Sequence, residues 1–294
     1  MLKRTITGAC YIAVVVGFLL LRQMVDPRIF HALTMIFAVV GTFEIARALK
    51  EKLYKGVFVT AIVFGALFVP IYCLGEFMLC DFFGVAVIEN LGYAFALGLV
   101  AVAVVFVSVY TLINKSTVKA LGVNLLPFAY PALFLLTMLL ANDMPKNTFG
   151  MDVGFIVLTL SFIIAPCADT LAYLTGSLIG GKKLCPTLSP KKTWSGAIGG
   201  VVGGILGALT FYFILGAVWK VVAFDFDYPV ILFILAGGIG SVLTIFGDLF
   251  ESAIKRKVGI KDMGKILPGH GGILDRIDGQ LFLSVYLYFL FLVA

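Results

Sequence analysis

Long unbroken apolar runs, each closed by a short polar stretch, dominate the chain. They cover about Thr5–Leu21, Ile29–Leu49, Val57–Leu74, Leu91–Ile113, Leu121–Leu140, Val153–Leu178, Ala197–Val218, Pro229–Phe246 and Ile277–Val293. Runs of roughly 20 apolar residues read as membrane-spanning helices. The runs are continuous rather than alternating, which argues against a β-barrel. The expected fold is therefore all-α: one polytopic membrane domain over residues 1–294 with about nine spans. The Val153–Leu178 run is expected to break near Pro166. Phe82–Ile88 is too short to span and is expected at the interface. The amino-terminal run ends without a small-x-small cleavage pattern and is read as the first helix.

Composition agrees: 61% of the 294 residues are hydrophobic and 13% are charged, about half the charge of a soluble domain. A soluble enzyme, a disulfide scaffold and a disordered chain are excluded. Cys10, Cys73, Cys80, Cys167 and Cys185 are scattered, without a CxxC, and read as reduced packing residues. Charge then orients the spans. With the amino terminus in the cytoplasm, all but Arg22, Arg28, Lys146 and Lys220 of the 22 Lys and Arg residues fall on the cytoplasmic side. The expected topology is N-in and C-out. The basic excess is an orientation signal and does not imply nucleic acid.

The remaining charge gathers in loops 180–196 and 248–276. Asp248 is expected to end one span and Asp278 to begin the next, with Asp275 three residues before it on the same helix face. Three carboxylates at facing helix ends suit a hard cation such as Mg²⁺ or Mn²⁺. Lys255, Arg256, Lys261 and Arg276, with the His270-Gly271-Gly272 turn, suit phosphate. The plainer readings are a positive-inside loop for the lysines and helix capping for one aspartate.

The order Ser252, Lys255-Arg256, Lys261-Asp262, Pro268, His270-Gly271-Gly272, Asp275-Arg276 and Asp278 resembles the signature of the bacterial phosphatidate cytidylyltransferase (CDP-diacylglycerol synthase) family. Ser189-Pro190-Lys191-Lys192-Thr193 is similar to a second family stretch, with Ser195 where many members carry Glu. Asp169 lies in an apolar span, where a charge is expensive, and Asp169 to Tyr173 resembles the family's Asp-x-x-Ala-Tyr element.

The resemblance implies transfer of a cytidylyl group from CTP to phosphatidic acid. It makes Asp248, Asp275 and Asp278 the metal ligands, and Lys255, Arg256, Lys261 and His270 further catalytic candidates. Asp169, Tyr173, Ser189, Lys191, Lys192, Thr193, Ser252, Gly271, Gly272 and Arg276 are the implied substrate contacts. A bacterial inner-membrane enzyme, working on membrane lipid at the cytoplasmic face, is expected. A second cation and a homodimer stay open. Residues up to about 113 are expected to be scaffold and 114–294 the catalytic half. The alternatives are a related polyprenol kinase or CDP-lipid synthase, and a transporter of an anionic solute. Gly196, Gly199, Gly200, Gly203, Gly204 and Gly207 read as a helix-packing stripe, His31 as inert, and Glu44 with Arg47 as an ion pair.

Overall fold

The computed structural model describes residues 2–79, 91–114, 117–147, 150–219 and 228–293. The short run Phe82–Ile88 lies outside them, as do Cys80, Lys115 and Lys220. The protein is an all-α polytopic membrane protein. Among the described residues, eight helical stretches are long and apolar enough to cross a bilayer. The expected ninth, Leu274–Leu292, carries Asp275, Arg276 and Asp278 near its start, which lowers its hydropathy.

The chain divides into two compact units, Met1–Leu139 with Ile260–Arg276, and Leu140–Gly259 with Ile277–Ala294. The Ile260–Arg276 part of the signature joins the amino-terminal helices.

The first unit contains α1 (Leu2–Met24), α2 (Ile29–Ala48), α3 (Lys55–Cys73), α4 (Leu91–Ile113) and α5 (Val118–Ala129), and most of α6 (Ala132–Asn142). Its core is built on α2, where Phe30, Leu33, Phe37 and Ile45 are fully buried, and on Val57, Phe64 and Phe68 of α3. Thr117 caps α5 by accepting a hydrogen bond from the Ala120 N–H at 3.3 Å. The expected single helix Leu121–Leu140 is two helices, α5 and α6, joined at Tyr130-Pro131. Pro131 has no N–H to continue the ladder.

The second unit contains α7 (Val153–Leu178), a hairpin of β1 (Lys183–Cys185) and β2 (Ser189–Thr193), α8 (Trp194–Trp219), α9 (Pro229–Val258) and most of α10 (Leu274–Leu292). The hairpin pairs Lys183 with Thr193 and Cys185 with Ser189. The expected break at Pro166 is absent, and α7 runs through it. One proline deletes one backbone hydrogen bond, and an apolar surround offers the other peptide groups nothing better than the helix. The Thr170 hydroxyl also donates to the Pro166 carbonyl at 2.7 Å.

Asp248 does not end its helix. α9 continues twelve residues past Phe246 to Val258 and stops at Gly259, whose φ of 79° closes the helix. Lys255, Arg256 and Lys257 fill its last turn, where cations oppose the helix dipole.

Small residues let α7, α8 and α9 approach closely. A Cβ at Gly203 would stand 2.6 Å from the Cys167 carbonyl and 2.8 Å from Leu171 Cβ, and one at Gly237 would stand 2.5 Å from the Gly204 carbonyl. The glycine stripe is therefore a packing surface. Gly203→Ala is expected to lower stability in detergent by about 1–3 kcal/mol through overpacking. Gly238→Ala meets only the Ile205 side chain, at 3.6 and 3.7 Å, and should melt like the parent. Thermal unfolding of both variants checks this.

Candidate functional site

In the second unit, α7, the β-hairpin, α8 and α9 enclose a cavity of about 460 Å³ whose charged lining is Asp169, Lys183, Lys191, Lys192 and Asp248. The hairpin aims Lys192 at Asp248, with Nζ and Oδ2 2.6 Å apart. One helical turn beyond Asp248, the Ser252 hydroxyl donates to Asp248 Oδ1 at 3.2 Å and fixes its rotamer. Asp278 on α10 lies within electrostatic reach of Asp248, Lys255 and Asp169. Lys255 is itself held: Nζ donates to Glu251 Oε1 at 3.0 Å, and the two side chains are 10% and 0% exposed. A buried ion pair of this kind is worth little net stability, yet losing one partner strands the other charge.

Three carboxylates and two lysines thus share one polar region. Their oxygens are hard donors, the kind Mg²⁺ takes. Among the described residues no three His, Cys, Asp or Glu side chains stand close enough to chelate an ion unaided. Water or phosphate oxygens would complete such a shell, as is usual for Mg²⁺.

The first unit has a second cavity of about 640 Å³, lined by Lys261, Asp262, Lys265, His270 and Arg276 and by backbone of the intervening turn. The turn is closed by the Leu267 N–H donating to the Gly271 carbonyl and the His270 N–H to the Leu267 carbonyl, both at 2.9 Å. Gly269 and Gly271 have φ of 79° and 87°, the left-handed region that favours glycine. Asp275 Oδ2 accepts from the Gly272 N–H at 2.8 Å and the Met263 N–H at 2.9 Å. Three hydrogen bonds tie this segment to α1 and α2: the Thr7 hydroxyl donates to the Pro268 carbonyl at 3.1 Å, and the Ile273 and Leu274 N–H groups donate to the Glu44 carboxylate at 3.2 and 2.9 Å.

The model of the cytidylyltransferase family matches residues 2–294. The chain belongs to that family. It is similar to a phosphatidate cytidylyltransferase of Brucella abortus, 41% identical over 137 residues that make up 46% of either chain. A phosphatidate cytidylyltransferase of Bacillus subtilis is 38% identical over 187 residues, 54% of this chain and 66% of the relative. One of Thermotoga maritima is 35% identical over 161 residues, 54% of this chain and 57% of the relative. The matched stretch spans less than two thirds of each of these relatives.

Within this member of the family the expected site residues fall in different places. Asp169, Tyr173, Lys191, Lys192 and Asp248 line the first cavity, and Asp278 lies within electrostatic reach of Asp169 and Asp248. Ser252 and Lys255 are buried partners of acidic side chains, and Arg256 donates from Nε to the Leu188 carbonyl at 3.4 Å. Lys261, His270, Gly271 and Arg276 line the second cavity. Gly272 is packed against Glu44. Of the three carboxylates expected to converge, Asp248 and Asp278 stand together. Asp275 is engaged with backbone N–H groups, the capping role that the plainer reading gave to one of them. Ser189 pairs in the hairpin, and Thr193 is a helix cap: its Oγ1 accepts from the Gly196 N–H at 3.1 Å. Ser195, at the position where many members carry Glu, donates to the Gly180 carbonyl and ties the start of α8 to the turn that follows α7.

Three side chains were not foreseen. Lys183 enters the first cavity from β1. Glu251 precedes Lys255 by one turn, a spacing visible only once α9 is known to continue. Glu44 was expected to pair with Arg47. Instead Glu44 is 1% exposed and turns to the start of α10, while Arg47 is exposed.

Removing the cap while keeping the side-chain shape, Thr193→Val, is expected to lower stability by about 1 kcal/mol. Thr193→Ser, which retains the hydroxyl, should restore most of it. Chemical or thermal unfolding of the two variants in the same detergent makes the comparison.

Proposed function

We propose that this cytidylyltransferase joins CTP to phosphatidic acid, releasing pyrophosphate and leaving CDP-diacylglycerol. The observation that carries this reading is the pairing of a carboxylate group (Asp169, Asp248 and Asp278) with lysines from the hairpin and α9 at one largely apolar cavity. The names of the similar proteins support it.

The chemistry asks for charge control more than for a base. A phosphate monoester has a second pKa near 6, so the lipid phosphate is largely dianionic at neutral pH and already nucleophilic. One of its oxygens attacks the α-phosphorus of CTP, and the bond from that phosphorus to the β-phosphate bridge breaks, with its electrons leaving on pyrophosphate. Both reactants are polyanions, so their mutual repulsion is the main obstacle. Lys183, Lys191 and Lys192 bring positive charge to the phosphates. Asp248 competes for Lys192, and an arriving phosphate would exchange partners with it. Ser252 holds Asp248 in place, and Glu251 holds Lys255. Mg²⁺ or Mn²⁺, with Asp248 and Asp278 as protein ligands and Asp169 beside them, would screen the phosphate oxygens and stabilise the leaving pyrophosphate. Lys261, Lys265 and Arg276 gather positive charge in the first unit, at a cavity that suits an anionic group.

The charge bias of the loops supports nine spans, N-in and C-out, in the inner membrane, with these cavities on the cytoplasmic side. CTP then arrives from water and the lipid from the inner leaflet.

The test uses the purified full chain in detergent with labelled CTP and phosphatidic acid, with and without Mg²⁺. CDP-diacylglycerol should form in step with pyrophosphate, only with the cation present. Asp248→Asn and Asp278→Asn should each lose about 10²-fold or more in turnover while remaining folded. Near-parental turnover in either variant would overturn the carboxylate roles. Transfer to a polyprenol rather than phosphatidic acid, or solute uptake into proteoliposomes without CTP turnover, would overturn the reading as a whole.

A further inference from the structure

We infer that Glu44, on α2, is a positioning residue for the signature segment, holding the start of α10 and the His270-Gly271-Gly272 turn in place. The inference rests on the function proposed above only for its effect on turnover; its geometry stands apart from it.

An α-helix leaves its first N–H groups without intrahelical acceptors, and inside a membrane protein water does not readily replace them. At the start of α10 three consecutive N–H groups are satisfied by two carboxylates. Asp275 Oδ2 takes Gly272 at 2.8 Å. Glu44 Oε1 takes Ile273 at 3.2 Å, and Glu44 Oε2 takes Leu274 at 2.9 Å. Both oxygens of Glu44 are therefore committed to α10, across a gap of 229 and 230 residues in sequence.

The fit is close on every side. A Cβ built on Gly264 or on Gly272 would collide with the Glu44 carboxylate. The neighbours Ile45 and Ala46 are fully buried, so Glu44 sits on an apolar stretch of α2 where an unpaired charge would be costly. The positive end of the helix dipole at α10 supplies the compensation. From the other side, Thr7 of α1 holds the Pro268 carbonyl, and the His270 ring lies beside Gly8. The segment so held carries Lys261, Lys265, His270 and Arg276 around its cavity, and Asp278 follows one turn along the same helix.

Glu44 does not line either cavity. Its influence on turnover would pass through the backbone that it holds.

Hydrogen–deuterium exchange and steady-state kinetics on the full chain in detergent test this with Glu44→Gln, which keeps the shape but replaces one acceptor by a donor. Peptides covering 262–276 should exchange about tenfold faster or more, and those covering α3 and α4 should be unchanged. Turnover per folded molecule should fall about tenfold or more. Gly272→Ala, which intrudes on the same carboxylate, should reproduce both effects. If Glu44→Gln folds poorly, Gly272→Ala alone carries the test. Unchanged exchange over 262–276 overturns the inference. So does a uniform rise across the whole chain with normal turnover per folded molecule, which would mark Glu44 as a general stability residue. If the parent makes no CDP-diacylglycerol, the proposed function fails, while the exchange result still decides whether Glu44 holds the segment.

Discussion

A carboxylate or a backbone N–H carried into an apolar phase has no water to turn to, so its partner must come from the protein itself. That constraint organises both polar regions of this molecule. At the start of α10 the problem is a set of free N–H donors, and the answer is two buried carboxylates, Asp275 from the same segment and Glu44 from α2. In the second unit the problem is reversed. Asp169, Asp248 and Asp278 are acceptors in excess, answered in part by Lys192 and Lys255. The first arrangement is closed: Glu44 has both oxygens occupied by the helix it caps. The second can exchange partners, because Lys192 and Asp248 are each partly exposed to a cavity large enough for a ligand. A closed polar group suits holding a backbone, and an open one suits binding.

The open group depends on how tightly its helices pack. Lipid chains offer little hydrophobic drive for helices to associate, so close backbone approach must come from small side chains. On α8, Gly196 and Gly200 face Ala172 and Gly203 faces Cys167, all on α7, while Gly204 faces Gly237 of α9. Further along α9, Gly247 lies against the Asp278 carbonyl and Thr244 against Gly279. These contacts leave no room for a methyl group. They put the backbone of α10 next to the turn of α9 that carries Asp248, which is why two carboxylates distant in sequence can share one region. The glycines therefore act on the site through helix spacing, and Gly196 also lines the cavity itself.

The spans were legible because hydrophobicity alone decides whether twenty residues can sit in oil. Helix ends were less so. Phe246 ends the apolar run but not α9, whose last turns are polar and helical because Gly259 and the terminal Lys-Arg-Lys cluster, rather than hydropathy, set the stop. Pro166 was expected to break α7, and the cost of one lost hydrogen bond proved too small against an apolar surround. The signature residues were legible as a group, but their division of labour was not. Asp275 and Asp278 are three apart and equivalent in pattern, yet one caps a turn and the other meets Asp248 and Asp169, because only the fold of the preceding loop decides which carboxylate meets free N–H groups. Glu44 left no signal at all: its partner lies about 230 residues away, and its nearest basic neighbour in sequence, Arg47, offered a simpler reading.

The proposed reaction gives the open cluster a further consequence. Lys192 lies against Asp248, so each charge partly cancels the other. A nucleotide bound with its cation brings positive charge to the carboxylates and negative charge to the lysines at once. Either half alone would leave one set of charges poorly matched, since phosphate beside Asp248 is repelled and a cation beside Lys192 is repelled. Nucleotide and metal would therefore enter more favourably together than separately, and the ion pair would act as a test for the complete complex. Lys255 differs, because it is buried in an ion pair with Glu251. It can bias the local field at Asp278 without moving. One lysine that exchanges partners and one that does not would let the site accept a strongly charged substrate without rebuilding its own framework.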